Sequence, residues 1–122
     1  MGEHKTTLVI GASEKPERFS NKAIRKLVSY GHPVEAIGLR NGDVSGISIQ
    51  TGFPHLENIH TVTMYVGPAR QLQYYSYLLG LNPKRIIFNP GTENSEFMQK
   101  AEKQGIEVVP DCTLVMLDSG SF

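Results

Sequence analysis

Cysteine occurs once in this chain, at Cys112, which excludes an internal disulfide and any metal site built on several thiolates. An excess of one charge is also missing. The 12 Lys and Arg residues balance 12 Asp and Glu residues, so the formal net charge is zero. A bulk binder of polyanions needs a basic excess, so no nucleic-acid partner is expected. No apolar run approaches the roughly 18 residues that a membrane helix needs. No basic segment precedes an apolar stretch, so no secretory signal is expected. Internal repeats, low-complexity stretches and linkers are absent as well. What is present is a chain of 122 residues, 39% of them apolar. That length suits one domain, residues 1–122, burying about two-thirds of its unfolded surface. A cytoplasmic setting is expected. One targeting pattern does occur: Met1-Gly2-Glu3-His4-Lys5-Thr6 has the N-myristoylation spacing. A chance match is expected, because an acidic residue follows Gly2 directly and the first strand starts at Thr6.

Short β-branched runs alternate with helical periodicity. The expected strands are Thr6–Ile10, Val34–Ile37, Val62–Val66, Arg85–Phe88 and Glu107–Val109. Helices are expected at Ser20–Tyr30, capped by Ser20 or Asn21, and at Gln71–Leu79, with Leu72, Tyr75 and Leu79 on one side. A third starts after Thr92, with acids in its first turn and lysines in its last, as the helix dipole favours. Residues 41–60 are loop-like, with a short strand near Ile47–Gln50, and Leu114–Leu117 is a final apolar segment. Strands alternating with helices of about ten residues make βαβ units. The fold class is therefore α/β: a Rossmann-like, doubly wound, three-layer domain with a mainly parallel sheet. In such sheets the ligand crevice lies at the carboxyl ends of the strands. Gly11, Gly38, Gly67-Pro68, Asn89-Pro90-Gly91 and Pro110-Asp111 all fall there.

Gly11-Ala12-Ser13-Glu14-Lys15-Pro16 joins the first strand to the first helix, where mononucleotide folds hold a phosphate. Ser13, Ser20 and Asn21 can add hydrogen bonds there, and Lys15 and Arg18 full charges. Ser13 and Pro16 stand where the second and third glycines of G-x-G-x-x-G would be, so the dinucleotide fingerprint is broken. An NAD site also wants an acid at the end of the second strand. The chain has Ile37-Gly38-Leu39-Arg40 instead. Arg40 suits a ribose phosphate, of which there are two common bearers: NADP on its 2′ oxygen and coenzyme A on its 3′ oxygen.

Taken together, Val9-Ile10-Gly11-Ala12-Ser13 with Lys15-Pro16, Arg18-Phe19-Ser20, the basic residue after the second strand, Asn89-Pro90-Gly91 before an acidic helix start, and Val109-Pro110-Asp111-Cys112 resemble the CoA-binding domain family. These are small single-domain proteins similar to the N-terminal domain of the succinyl-CoA synthetase α subunit. The resemblance spans roughly residues 6–117. It implies that the Gly11, Ala12 and Ser13 turn, with Lys15 and the start of the first helix at Ser20 and Asn21, forms the pyrophosphate loop, and that Pro16, Arg18 and Phe19 also belong to the cofactor site. Arg40 would be the basic residue near the adenosine 3′-phosphate. Val66, Gly67 and Pro68 would line the adenine, and Asn89, Pro90 and Gly91 would border the pantetheine. The family usually ends its second strand on an Asn-Pro-Lys type of turn. Here Gly38-Leu39-Arg40 keeps the charge and loses the proline.

Cys112 lacks a His in recognisable catalytic context and is expected to be a buried structural residue. His55 and His60 are off helical metal-ligand spacing, so no metal is expected. Tyr74, Tyr75 and Tyr77 point around their helix, so part of that surface is expected to be free. It would serve a homodimer or a protein partner, with tyrosines at the core edge as the bland alternative. The expected function is that of a non-catalytic binding, carrier or sensor module for coenzyme A or an acyl-CoA, not an enzyme. The alternatives are an NAD(P)-binding domain of a redox sensor or oxidoreductase, and a ligand-free protein-interaction domain.

Overall fold

The computed structural model describes residues 4–122. Met1, Gly2 and Glu3, on which the myristoylation spacing rests, lie outside the described residues. Strands β1 (Thr7–Ala12), β2 (Val34–Gly38), β3 (Gly42–Val44), β4 (Ile47–Gln50), β5 (Thr61–Met64), β6 (Arg85–Phe88) and β7 (Glu107–Val109) form one sheet. Its order is β3-β4-β2-β1-β5-β6-β7, and every neighbouring pair is parallel except β3 with β4. Helices α1 (Phe19–Ser29) and α4 (Thr113–Ser119) cover one face, α2 (Tyr75–Leu81) and α3 (Ser95–Lys103) the other. This is the α/β Rossmann-like architecture expected from the sequence. No described helix is long and apolar enough to cross a membrane.

Both faces of the central strands are dry, which explains the apolar runs of β1 and β6; in β5 the buried Thr61 and Thr63 hydroxyls are hydrogen-bonded. Along β1, Leu8 and Ile10 point into the α2–α3 layer with Val62, Met64, Ile86, Phe88 and Phe97. Val9, between them, points into the α1–α4 layer with Ile24, Leu27, Ala36 and Leu117. Each of these buried side chains other than Ala36 contributes about 1.5–3 kcal/mol of transfer free energy. The strand order reverses between β2 and β5, which leave β1 on opposite sides, and this is where a crevice opens.

Four local expectations change. The segment read as loop before residue 47 carries β3, which pairs antiparallel with β4 through Ser45 and Gly46, both at positive φ. That is the backbone of a two-residue hairpin turn. The first helix is capped by Arg18 rather than Ser20 or Asn21, and those two are buried within its first turn. The third helix starts at Ser95, and its cap is Asn94, whose side chain accepts from Phe97 N at 3.2 Å, rather than Thr92. Thr92 instead donates its hydroxyl to Asn89 O at 2.8 Å.

The fourth change concerns the segment before α2. Residues Pro68–Arg70 and Leu72–Tyr74 are two 3₁₀ turns, and regular α-helix begins only at Tyr75. A 3₁₀ turn has about three residues per turn, so Pro68, Gln71 and Tyr74 share one row. Gln71 and Tyr74 therefore turn inward, and Leu72 is left 69% exposed. Tyr74 and Tyr75 are buried, and Tyr77 is half-buried. Tyr74 and Tyr77 pack edge-on and tilted against Phe53, Tyr75 stacks on Phe97 at 4.5 Å, and the Tyr77 hydroxyl donates to Pro54 O. The aromatic surface expected for a homodimer or protein partner is thus largely consumed inside the fold.

Candidate functional site

The crevice is built first from a backbone constraint. Gly11 interrupts the register of β1 with β2 and has φ +94°. A Cβ there would lie 2.9 Å from Tyr65 O, so only glycine lets β1 turn outward this close to β5. On the other side Ala12 pairs with Gly38, where a Cβ would lie 2.3 Å from Ala12 O. Gly38, which opens the Gly38-Leu39-Arg40 turn, is therefore a position at which this backbone admits no side chain.

The loop from Ser13 to Arg18 is held from beneath. Asn21 Nδ2 donates to Ser13 O at 2.9 Å, and Asn21 Oδ1 accepts from Arg25 Nε at 2.8 Å. Arg25 Nη2 reaches on to Pro16 O at 3.0 Å. Ser13 Oγ accepts from Lys15 N. From the side, Glu14 Oε2 accepts from Asp43 N at 2.9 Å and ties the loop to the β3–β4 hairpin. Helix α1 then starts with no side-chain cap and no acid in its first turn. Its first N–H groups and its positive dipole end are left for an anion.

The crevice has a volume of about 680 Å³. Of the residues singled out from the sequence, Gly11, Ala12, Ser13, Lys15, Arg18, Phe19, Ser20, Arg40, Val66, Gly67, Pro90 and Gly91 line it together. Pro16, Asn21, Pro68 and Asn89 do not. Asn21 and Pro16 belong to the loop's internal hydrogen bonds. Asn89 is almost wholly buried, and its side chain is committed within the fold. Its Nδ2 donates to Thr63 Oγ1 and Met64 O, and its Oδ1 accepts from Thr113 N at 2.9 Å. It knits the ends of β5 and β6 to the start of α4 and leaves the lining to Pro90 and Gly91.

Sequence reasoning missed Asn41, Tyr65, Arg70, Gln73, Tyr74 and Thr92 on the lining. Arg70 follows Pro68 in the turn after β5, and its place in the connection after a parallel strand was the available signal. Lys15, Arg18, Arg40 and Arg70 are all exposed, so four cations stand around the crevice. Glu14 is the one carboxylate among the lining residues, and it is engaged with Asp43 N. Phe19 and Leu39, 65% and 76% exposed, add bare apolar surface to the lining. Burial pushes the Tyr65 phenol up to about 12, so it is neutral at ordinary pH, and its buried hydroxyl has no hydrogen-bond partner among the described residues. Cys112 lies outside the lining and is partly exposed rather than buried, with its N–H donating to Asp111 Oδ1.

The chain is 44% identical to an uncharacterized protein of known crystal structure, over 99% of this chain and 100% of that one, with a TM-score of 0.96. A hypothetical protein from Pyrococcus horikoshii OT3 is 24% identical over 95% of this chain and 83% of that one, with a TM-score of 0.86. A dinucleotide-forming acetyl-coenzyme A synthetase 1 from Ca. Korarchaeum cryptofilum shares the fold at 19% identity and a TM-score of 0.70. The match covers 88% of this chain and 25% of that larger one. No curated protein matches. Residues 5–118 match the CoA binding domain family, and the chain belongs to it.

Proposed function

We infer, from this family membership and the charge of the crevice, that the chain binds coenzyme A or an acyl-CoA as a binding, carrier or sensor module and performs no chemistry alone. The observation that carries this reading is the placement of cations around one uncapped glycine turn. Lys15 and Arg18 belong to the loop where a pyrophosphate would rest, and Arg40 stands just beyond β2, where a ribose phosphate would lie. Phe19 offers an exposed ring for stacking, and Pro90 and Gly91, whose N–H donates to Glu93 Oε1 at 2.8 Å, would wall the pantetheine. The polar side chains of the lining are mostly cations, hydroxyls and amides, which hold phosphates well.

NADP is the second reading, because Arg40 would equally suit a 2′-phosphate. Calorimetric titration with coenzyme A, dephospho-CoA, NADP and NAD separates the two. Coenzyme A is expected to bind, and NADP to bind at least about tenfold more weakly, a difference of about 1.4 kcal/mol. Replacing Arg40 by Ala should weaken coenzyme A by about tenfold and leave dephospho-CoA nearly unchanged, the scale of one charge-assisted phosphate contact. Binding of NADP without coenzyme A would overturn the reading. Equal losses for the two CoA forms would remove Arg40 from the phosphate.

A further inference from the structure

Gln71 breaks the local pattern of its segment. It is fully buried while its neighbour Leu72 is 69% exposed, so a polar amide takes the inward position and an apolar side chain the outward one. Both amide hydrogens of Gln71 are used. Nε2 donates to Val66 O at 2.8 Å and to Thr92 O at 2.7 Å. Two carbonyl acceptors fix which end of the amide is nitrogen. The oxygen, Oε1, accepts from Asn94 Nδ2 at 3.1 Å. Asn94 also donates to the Tyr75 hydroxyl at 2.8 Å, and that hydroxyl donates to Glu96 Oε1 at 3.0 Å.

The two carbonyls belong to different loops. Val66 follows β5, and Thr92 follows β6; both residues line the crevice, on the loops assigned above to the adenine and to the pantetheine. One side chain therefore spans the two loops from within the core. Its anchor, Asn94, is at the same time the cap of α3.

We propose that Gln71 is a positioning residue that fixes the separation of these two loops, and so presets the crevice for a ligand that must touch both at once. The proposal rests on the coenzyme A reading. A ligand seated against one wall tolerates a shift of the other, because that wall does not meet it. A ligand that crosses the crevice gains its full affinity only when the spacing is preset.

The test uses the full chain with Gln71→Met, which keeps the length and apolar bulk without donors, and Gln71→Glu, which points a carboxylate at two carbonyl oxygens. Coenzyme A and adenosine 3′,5′-bisphosphate, which lacks the pantetheine, are titrated against each. Gln71→Met should weaken coenzyme A by about tenfold and the bisphosphate by less than about twofold, with Gln71→Glu losing more of the same difference. Equal losses for both ligands, or no loss for either, would overturn the proposal. Hydrogen exchange of the unliganded chain gives a second measurement that no ligand enters. In Gln71→Met, exchange should quicken in residues 66–70 and 90–94 together and stay unchanged in β1, β5 and β6. A rise in one loop only, across the whole chain or in neither loop overturns the strut. If the unaltered chain binds no coenzyme A, the functional reading falls while the exchange experiment still decides the role of Gln71.

Discussion

At the residue scale, the fold places its tightest demands where the crevice begins. Gly11→Ala would put a methyl group 2.9 Å from a backbone oxygen and 3.0 Å from its carbon, at a φ that side chains avoid. A loss of about 1–3 kcal/mol follows from such strain. Chemical denaturation should show it as a lower midpoint with an unchanged slope. Leu72 supplies the opposite prediction. A leucine in the core costs about 2–5 kcal/mol when removed. Leu72→Lys should change stability by less than about 0.5 kcal/mol, because the side chain faces water. A larger loss in thermal unfolding would restore the α-helical phase that the sequence suggested. The glycine at position 11 was legible in the sequence because the apolar run Leu8-Val9-Ile10 stops at it, although β1 itself continues to Ala12. The role of Gln71 was not, because no local pattern marks a glutamine that ties its own connection to the loop after β6, where Thr92 lies.

At the element scale, legibility followed burial. Strands β1, β2, β5 and β6 were readable because burial on their faces selects apolar and β-branched residues, while β7, at the sheet edge with Glu107 exposed, was readable from Val108 and Val109. Strand β3 was hidden by its composition, Gly42-Asp43-Val44, which has little β preference, and only Ser45-Gly46 hinted at a hairpin. The turn into α2 was misread because three-residue and 3.6-residue periods agree for one turn and then part. Helix α3 shows how capping moves a boundary. Asn94 serves the helix and, through its amide, Gln71 and Tyr75. Asn94→Ala should therefore cost more than an ordinary cap, about 2 kcal/mol. Tyr75→Phe in the same background should then cost less than it does in the unaltered chain, a coupling that a double-mutant cycle reads.

At the scale of the whole molecule, the balanced net charge conceals a division. Cations gather around the crevice at the carboxyl ends of the strands, and a second cationic group lies at their amino ends. There His32 Nδ1 accepts from Lys5 N at 3.0 Å, and its ring packs on Phe122, which Arg85 also overlies. Burial, and then the charges of Lys5, His4 and Arg85, lower the pKa of His32. The unfolded chain thus takes up the proton first, at its ordinary value of about 6.5. The stabilising effect of neutral His32 is fully present above that value and is lost as pH falls through it toward the lower folded value. The melting temperature should drop more between about pH 7.5 and 5 for the unaltered chain than for His32→Asn, which keeps an acceptor but does not titrate. An equal drop in both would assign the effect to other groups.

The same cluster has a practical corollary. Lys5 Nζ donates to Phe122 O, so residues near the two ends of the described chain meet beside the starts of β2 and β6, across the sheet from the crevice. The fold is therefore a natural candidate for circular permutation. A short linker across residues 5 and 122, with new ends opened at the exposed Ser45-Gly46 turn, would leave every strand pairing intact. Reporter domains joined at those new ends would flank the hairpin that Glu14 ties to the Ser13–Arg18 loop, within reach of any movement there.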